Sequence, residues 1–255
     1  MAHSIRSNLQ PFFDRLTRRS ILSDEERQAV LNLPGHAQQV ERGRDFVPLG
    51  KRVDHACLIV AGIVGRFDQT GDGKRQITAL HIPGDMCDLH SVVQPIPTSA
   101  LQSLSVSTIL RVPHVAIRAA AGRYPALAAA FWRDCMVDAG IISKWLLNVG
   151  SRDAKQRVAH LLCEMATRFG AAANPDNVMF DFGLTQDQLA NATGLTAVHM
   201  NRTIQNLRSD GLVEWRSRVV CLPHWDAVVG LADFDPTYLQ LNIRPEQRMR
   251  IVQAS

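Results

Sequence analysis

Cysteine is scarce in this chain and badly placed for chemistry. The five cysteines, at 57, 87, 135, 163 and 221, are odd in number and widely scattered, with no C-x-x-C pair. That pattern excludes a disulfide framework and a zinc ribbon and leaves reduced core thiols. No stretch approaches the ~18 uninterrupted apolar residues of a membrane-spanning helix. The first thirty residues carry Arg6, Asp14, Arg15, Arg18 and Arg19 among too few apolar side chains for a secretory leader. A cytoplasmic protein with no membrane partner is therefore expected. Neither sign of charge dominates: 28 Lys and Arg against 24 Asp and Glu leave a formal +4 and a pI near 9.0, which permits nucleic acid without demanding it. What remains is a soluble globular composition, 46% hydrophobic and 20% charged over 255 residues, long enough for two domains that each bury a core.

The texture changes along the chain. Residues 1–35 read as short helices, with Ser23-Asp24-Glu25-Glu26 a capped start and Leu33-Pro34-Gly35 a stop. From Ala37 to about Pro113, short apolar runs (LIVAGIVGRF, QITALHI, SLSVSTILRV) alternate with turn residues such as Gly71-Asp72-Gly73-Lys74 and Pro83-Gly84-Asp85, which predicts an antiparallel β-roll. From Val115 the pattern is helical. Leu127, Phe131, Cys135, Ala139, Ile142, Leu146 and Val149 recur at steps of three and four and predict one long apolar helix face. Met136, Ile141 and Trp145 lie off that line, so the helix is apolar on two sides, one for its own roll and one for a twin helix. Phe131, Cys135, Ile142 and Leu146 are the expected dimerisation residues. An interruption is expected at 148–151, with Ser151 capping a next helix over 152–169. A loop over 171–180 follows. After His224 come a short apolar helix and an Arg-containing end whose last dozen residues are expected to lack fixed structure.

Residues 184–210, LTQDQLANATGLTAVHMNRTIQNLRSD, organise the rest. Thr185 and Gln188 have the spacing of a capping box, Leu189 and Ala192 face inward, and Gly194 supplies the backbone freedom of a sharp helix-to-helix turn. Thr196 then caps a second helix, on which Met200, Ile204 and Leu207 make one apolar face. Val198, Arg202 and Gln205 make a separate stripe free to touch a partner. Asp210-Gly211 ends the helix, and LVEWRSRVVCL reads as a two-stranded wing. Helix, turn, helix and wing suggest a winged helix-turn-helix. Arg202 and Gln205 stand where bidentate contacts to guanine or adenine edges are natural. Four Arg against Asp187, Asp210 and Glu214 between 184 and 218 make only a faint basic footprint.

The order of these parts resembles the Crp/Fnr family of bacterial transcription regulators over roughly residues 30 to 225, as do LIVAGIVGRF, Gly73-Lys74, Pro83-Gly84-Asp85, RVAHLL and above all LTQDQLANATGLTAVHMNRTIQNLRSDGLV. The resemblance implies an α+β chain: N-terminal helices and a cyclic-nucleotide-binding-like β-roll (1–125), a dimerisation helix and hinge (126–150), a winged helix-turn-helix (151–235) and a tail (236–255). It places the family's base-reading Arg on Arg202 and its phosphate-contacting turn residue on Thr196. Thr185, His199, Asn201 and Gln205 complete the expected DNA-facing set. Val198 stands where the family commonly has a base-reading Glu. The partners implied are a pseudo-palindromic double-stranded DNA, a second copy of the chain as homodimer, and RNA polymerase.

The roll departs from the family's cyclic-nucleotide branch. Gly84-Asp85 is followed by Met86, Cys87, Asp88, Leu89 and His90 instead of a Gly-Glu pair and a later Arg-Ser pair, and no Arg or Lys occurs between Arg75 and Arg111. Without a nearby cation a buried phosphate has nothing to offset its desolvation, so cyclic nucleotides are not expected as effector. The N-terminal cysteines of the iron–sulfur branch are also missing before Cys57. His55, His81, His90 and His114 with Cys87 are the candidates for a haem or metal alternative. His81, Asp88 and His90 are those for a cupin-like metalloenzyme. The expected reading is a regulator, not an enzyme, with no resident cofactor and an effector the residues do not name.

Overall fold

The computed structural model describes residues 2–241 and 243–250. The chain divides into two compact units. The first comprises Met1–Asp68, Leu80–Ala139 and Gln240–Ser255; the second comprises Gln69–Ala79 and Gly140–Leu239.

The first unit opens with α1 (Ala2–Thr17) and α2 (Asp24–Leu31). Ser23 and Glu26 close a reciprocal capping box at the start of α2. The roll follows as β1 (His36–Val40), β2 (Asp45–Val47), β3 (His55–Ala61), β4 (Val64–Gln69), β5 (Arg75–His81, of which 75–79 fall in the second unit), β6 (Ala100–Ser103) and β7 (Ser107–Pro113), in two antiparallel sheets ordered β1-β7-β3 and β2-β6-β4-β5. Val40, Val47, Cys57, Ile59, Val64, Cys87, Leu101 and Ile109 fill the space between the sheets. The alternate residues of the inner strands, Ala56, Leu58, Leu110 and Val112, are buried on the other side, under Leu9, Phe12 and Leu16 of α1 and the helices after the roll. Burial on both faces explains why HACLIVA is a continuous apolar run instead of an alternating one. Strands β1 and β2 escaped the sequence reading because β1 is exposed at four of its five residues and carries no periodic signal.

After the roll come α3 (His114–Arg123), α4 (Pro125–Ser151) and α5 (Ala154–Arg168). The expected interruption at 148–151 does not occur: α4 runs through it, and the Arg152 amide still bonds the Asn148 carbonyl at 3.3 Å. The cap of α5 is Asp153, in a capping box with Gln156, rather than Ser151. The boundary between the units falls inside α4, after Ala139.

The second unit continues with β8 (Val178–Asp181), α6 (Gln186–Thr193), α7 (Ala197–Ser209), β9 (Glu214–Arg216), β10 (Val219–Leu222) and α8 (Trp225–Ala232). The stretch read as a loop over 171–180 contains two 3-10 turns and the start of β8, which pairs with β10 and makes the wing three-stranded, ordered β8-β10-β9. Four alternating residues are too few for periodicity to register. Helix α5 packs its buried Val158, Leu161, Leu162 and Met165 against α6, α7 and α8. The expectation for the end of the chain falls partly outside the described residues. Residues 243–250 have a described backbone, with Met249 bonded to Arg19 and Ile21, while Asn242 and residues 251–255 lie outside the described residues. No helix among the described residues is long and apolar enough to cross a membrane.

Candidate nucleic-acid interface

The capping chemistry read from sequence sets the two helices. Thr185 accepts the Gln188 amide at 3.2 Å while Gln188 Oε1 takes the Thr185 amide at 2.8 Å. Thr196 accepts the His199 amide at 3.2 Å. Between them Gly194 has φ +67, and a Cβ there would meet Val149 Cγ1 at 3.2 Å, so the turn needs glycine for its conformation and its space. Met200, Thr203, Ile204 and Leu207 are buried, and Val198, Asn201, Arg202 and Gln205 are exposed on the opposite side of α7. Val198 is 82% exposed. His199 is half-buried.

Two parts of this surface were not legible in the sequence. Asn201 donates from Nδ2 to Gln186 Oε1 at 2.9 Å, which brings the exposed first residue of α6 beside the α7 stripe. The hairpin β9–β10 turns at Ser217, φ +54, flanked by the exposed side chains of Arg216 and Arg218. Arg208 braces the hairpin by donating to the Trp215 carbonyl at 2.8 Å. A cluster of two Arg at a turn was visible in WRSRVV, but its position beside α7 follows only from strand pairing.

The four residues expected at a dimer seam divide between buried and exposed positions. Phe131 is buried and stacks on Phe12 with ring centroids 6.2 Å apart, and Cys135 packs on the same core. Both belong to the interior of their own unit, as do Ile141 and Trp145, which are buried as well. The exposed apolar line on α4 is Trp132 (69%), Met136 (67%), Ala139 and Leu146 (75%), with Ile142 at its edge. The sequence pattern had followed one line down a helix whose buried side changes along its length.

The roll holds a small cavity of about 100 Å³. Arg66, Asp88, His90, Ser91, Thr98 and Ser99 supply its polar lining. A cation is therefore present, contrary to the reading that none lies near the pocket. Arg66 comes from β4, opposite Leu101 of β6, outside the 75–111 interval in which a cation was sought, and its guanidinium donates to the Cys87 carbonyl. Asp88 is buried, with Oδ1 accepting the Cys57 amide at 2.6 Å and Oδ2 without a partner. Burial raises its pKa. His90 is pushed down to about 4 by burial and by Arg66. The cavity volume is below the ~300–1,000 Å³ of common ligand sites.

A Crp-like helix-turn-helix domain model matches residues 156–228. That region of the chain is similar to the helix-turn-helix of Crp-like transcription regulators, and the likeness to individual regulators extends further along the chain. The fumarate and nitrate reduction regulatory protein of Escherichia coli (strain K12) is 20% identical over 211 residues, covering 83% of this chain and 84% of the relative. The nitrogen fixation regulation protein FixK of Azorhizobium caulinodans is 26% identical over 160 residues, 63% of this chain and 64% of the relative. Among solved structures, FixK2 from Bradyrhizobium japonicum superposes with a TM-score of 0.71 at 22% identity, over 78% of this chain and 98% of that one. The shared fold is the α+β arrangement of antiparallel sheets with a C-terminal helix-turn-helix.

Several of the side chains considered for haem or metal have partners within the protein. His55 pairs with the neighbouring Asp54, His114 Nε2 is 2.8 Å from Ser91 Oγ, and Cys87 Sγ lies 3.2 Å from the Cys57 carbonyl. His81, Asp88 and His90 do not converge as cupin ligands do. Among the described residues no group of three or more His, Cys, Asp or Glu could hold a metal ion. Burial raises the pKa of Cys57, Cys87, Cys135, Cys163 and Cys221.

Proposed function

We propose that two copies of this Crp/Fnr regulator pair along the exposed line of α4 and set their two α7 helices into successive major grooves of a pseudo-palindromic duplex. The observation that carries this reading is the partition of α7: one side is buried in its own unit, and Val198, Asn201, Arg202 and Gln205 stand in solvent on the other. Arg202 reads a guanine edge through two hydrogen bonds, Gln205 an adenine edge, and Val198 a thymine methyl group. Thr196, at the exposed start of α7, and Arg216 and Arg218 on the wing contact phosphates, which position the helix without carrying sequence information. Thr185 and His199 act indirectly: Thr185 fixes the start of α6, and His199 lends its backbone to the cap of α7.

The pairing follows from what is left uncovered. Trp132, Met136 and Leu146 are exposed along α4, and a second α4 covers them in the manner of a two-stranded helical seam. The roll receives the signal at or near its small cavity, and the output is altered transcription through RNA polymerase in the cytoplasm. Selection of bound duplexes from a random pool tests the core of the proposal. A two-fold-symmetric site with half-sites about one helical turn apart supports it, and failure to enrich any sequence sinks it.

A further inference from the structure

The cavity in the roll has an uneven lining. Every residue that lines it belongs to the first unit. Val47, Pro97 and Leu101 make its apolar wall. Of the polar side chains, Ser91 Oγ is 2.8 Å from His114 Nε2 and Ser99 donates to Asp68 Oδ1 at 2.7 Å, so both are engaged within the protein. Asp88 differs from them. It is 4% exposed, its Oδ1 accepts the Cys57 amide at 2.6 Å, and its Oδ2 has no hydrogen-bond partner among the described residues. A buried acceptor left unpaired is costly to a fold. This one belongs to the wall of a cavity, and the last torsion of an Asp side chain is broad enough to turn either oxygen towards it.

The other charged residue of the lining is Arg66, which reaches the cavity from β4 and donates to the Cys87 carbonyl. A guanidinium carries five N–H donors in a planar fork that matches a carboxylate. Burial raises the pKa of Asp88, and the Cys57 amide and Arg66 pull it back down. Carboxyl and guanidinium are thus electrostatically linked across one small space.

Charge and size narrow the class of occupant. Apart from Arg66 and Asp88, no Asp, Glu, Lys or Arg lines the cavity among the described residues. A plain anion is repelled by Asp88 and a plain cation by Arg66, whereas a molecule with an acid group and a donor group matches both. An engineered cavity of about 150 Å³ takes benzene, so one of about 100 Å³ holds about four to six non-hydrogen atoms.

We propose that the roll cavity binds a two- or three-carbon carboxylic acid with a hydroxyl or ammonium group on the carbon next to the carboxyl. Arg66 holds the carboxylate, and Asp88 accepts from the donor. The proposal rests on the reading that the roll receives the signal at this cavity, and it gives that signal a chemical class. Both contacts are charge-assisted hydrogen bonds in a place partly shielded from water, where such bonds are strongest.

The test is calorimetry on the full chain with glycolate, lactate, glycine and alanine beside acetate and propionate, which keep the acid group and lack the donor. At least one donor-bearing series is expected to bind more tightly than about 1 mM. The donor-free acids are expected to bind at least about tenfold more weakly, because they leave Asp88 unpaired. In Asp88→Asn an oxygen still accepts the Cys57 amide, but an NH2 group replaces Oδ2, and the advantage of the donor-bearing acids is expected to vanish. Arg66→Lys keeps the charge without the fork and is expected to weaken every acid. Urea midpoints report whether the variants fold, and the comparison of ligands on the unaltered chain decides the matter if they do not. Lactate above alanine names a hydroxy acid, and the reverse names an amino acid. No binding by either series overturns the proposal, as does equal binding of the donor-free acids or a donor preference that survives in Asp88→Asn. Binding that leaves affinity for a selected duplex unchanged upholds the ligand class and sinks the reading of the cavity as the place where the signal enters. A chain that selects a duplex and binds none of these acids sinks the ligand class alone.

Discussion

Asn201 of α7 donates its side-chain amide to Gln186, the first residue of α6, at 2.9 Å. The bond ties the reading helix to the start of the helix before it, so Asn201 holds the orientation of α7 while its neighbour Arg202 is left to meet the DNA. The two residues differ in kind although they adjoin in sequence. Arg202→Ala is expected to lose ~1–3 kcal/mol of discrimination at one base pair, whereas Asn201→Ala weakens all sequences alike. Competition binding with single-base variants of a selected site separates the two. Equal loss at every position for Arg202→Ala means that Arg202 reads no base.

The exposed line on α4 makes a second expectation. Leu146→Glu places a charge in each half of a dry seam, and sedimentation should show monomer, with operator affinity lost in parallel. Phe131→Ala, by contrast, opens a cavity beside Phe12 inside one unit and should cost ~3–5 kcal/mol of folding stability. A Leu146→Glu protein that stays dimeric places the seam elsewhere.

Val198 reaches into solvent and cannot accept a hydrogen bond. Its half-site should carry T, or no preference, at the base pair it faces. Sites selected in parallel for the parent and for Val198→Glu should differ at one symmetric position, where the Glu variant gains C·G. Identical sites would put residue 198 outside the reading surface and leave specificity to Arg202, Gln205 and DNA shape.

His160 is buried against the rings of Phe234 and Tyr238. Burial, then the nearby Arg152 and Lys144, push its pKa down to about 4 from an ordinary 6.5. The unfolded chain therefore binds the proton more readily, and stability falls as pH drops from 6.5 towards 4. His90 adds to the same limb with a pKa also near 4, and Asp138, raised to about 6 by burial, opposes it. Replacing His160 with Leu should flatten the limb by one proton's worth, about 1.4 kcal/mol per pH unit. Urea midpoints at pH 5 and pH 7 measure this; an unaltered difference between the two would mean that His160 is not held neutral.

The sequence by itself determined whatever depends on neighbours a few residues apart. The capping boxes at Ser23 and Thr185, the glycine turn at 194 and the two faces of α7 are local matters of hydrogen-bond geometry and helical period, and they stand in the structure as read. Only the tertiary structure decided what depends on distant segments meeting. The apolar line of α4 looks uniform in sequence, yet the core around Phe12 covers Phe131 and leaves Trp132 bare, because burial is set by what packs on a helix and not by its own period. Arg66 reaches the roll cavity because antiparallel pairing sets it opposite Leu101. Arg250 finds Glu26 across 224 residues of chain, a pairing that no local pattern encodes, since its partner is chosen only after both ends have folded onto the same unit.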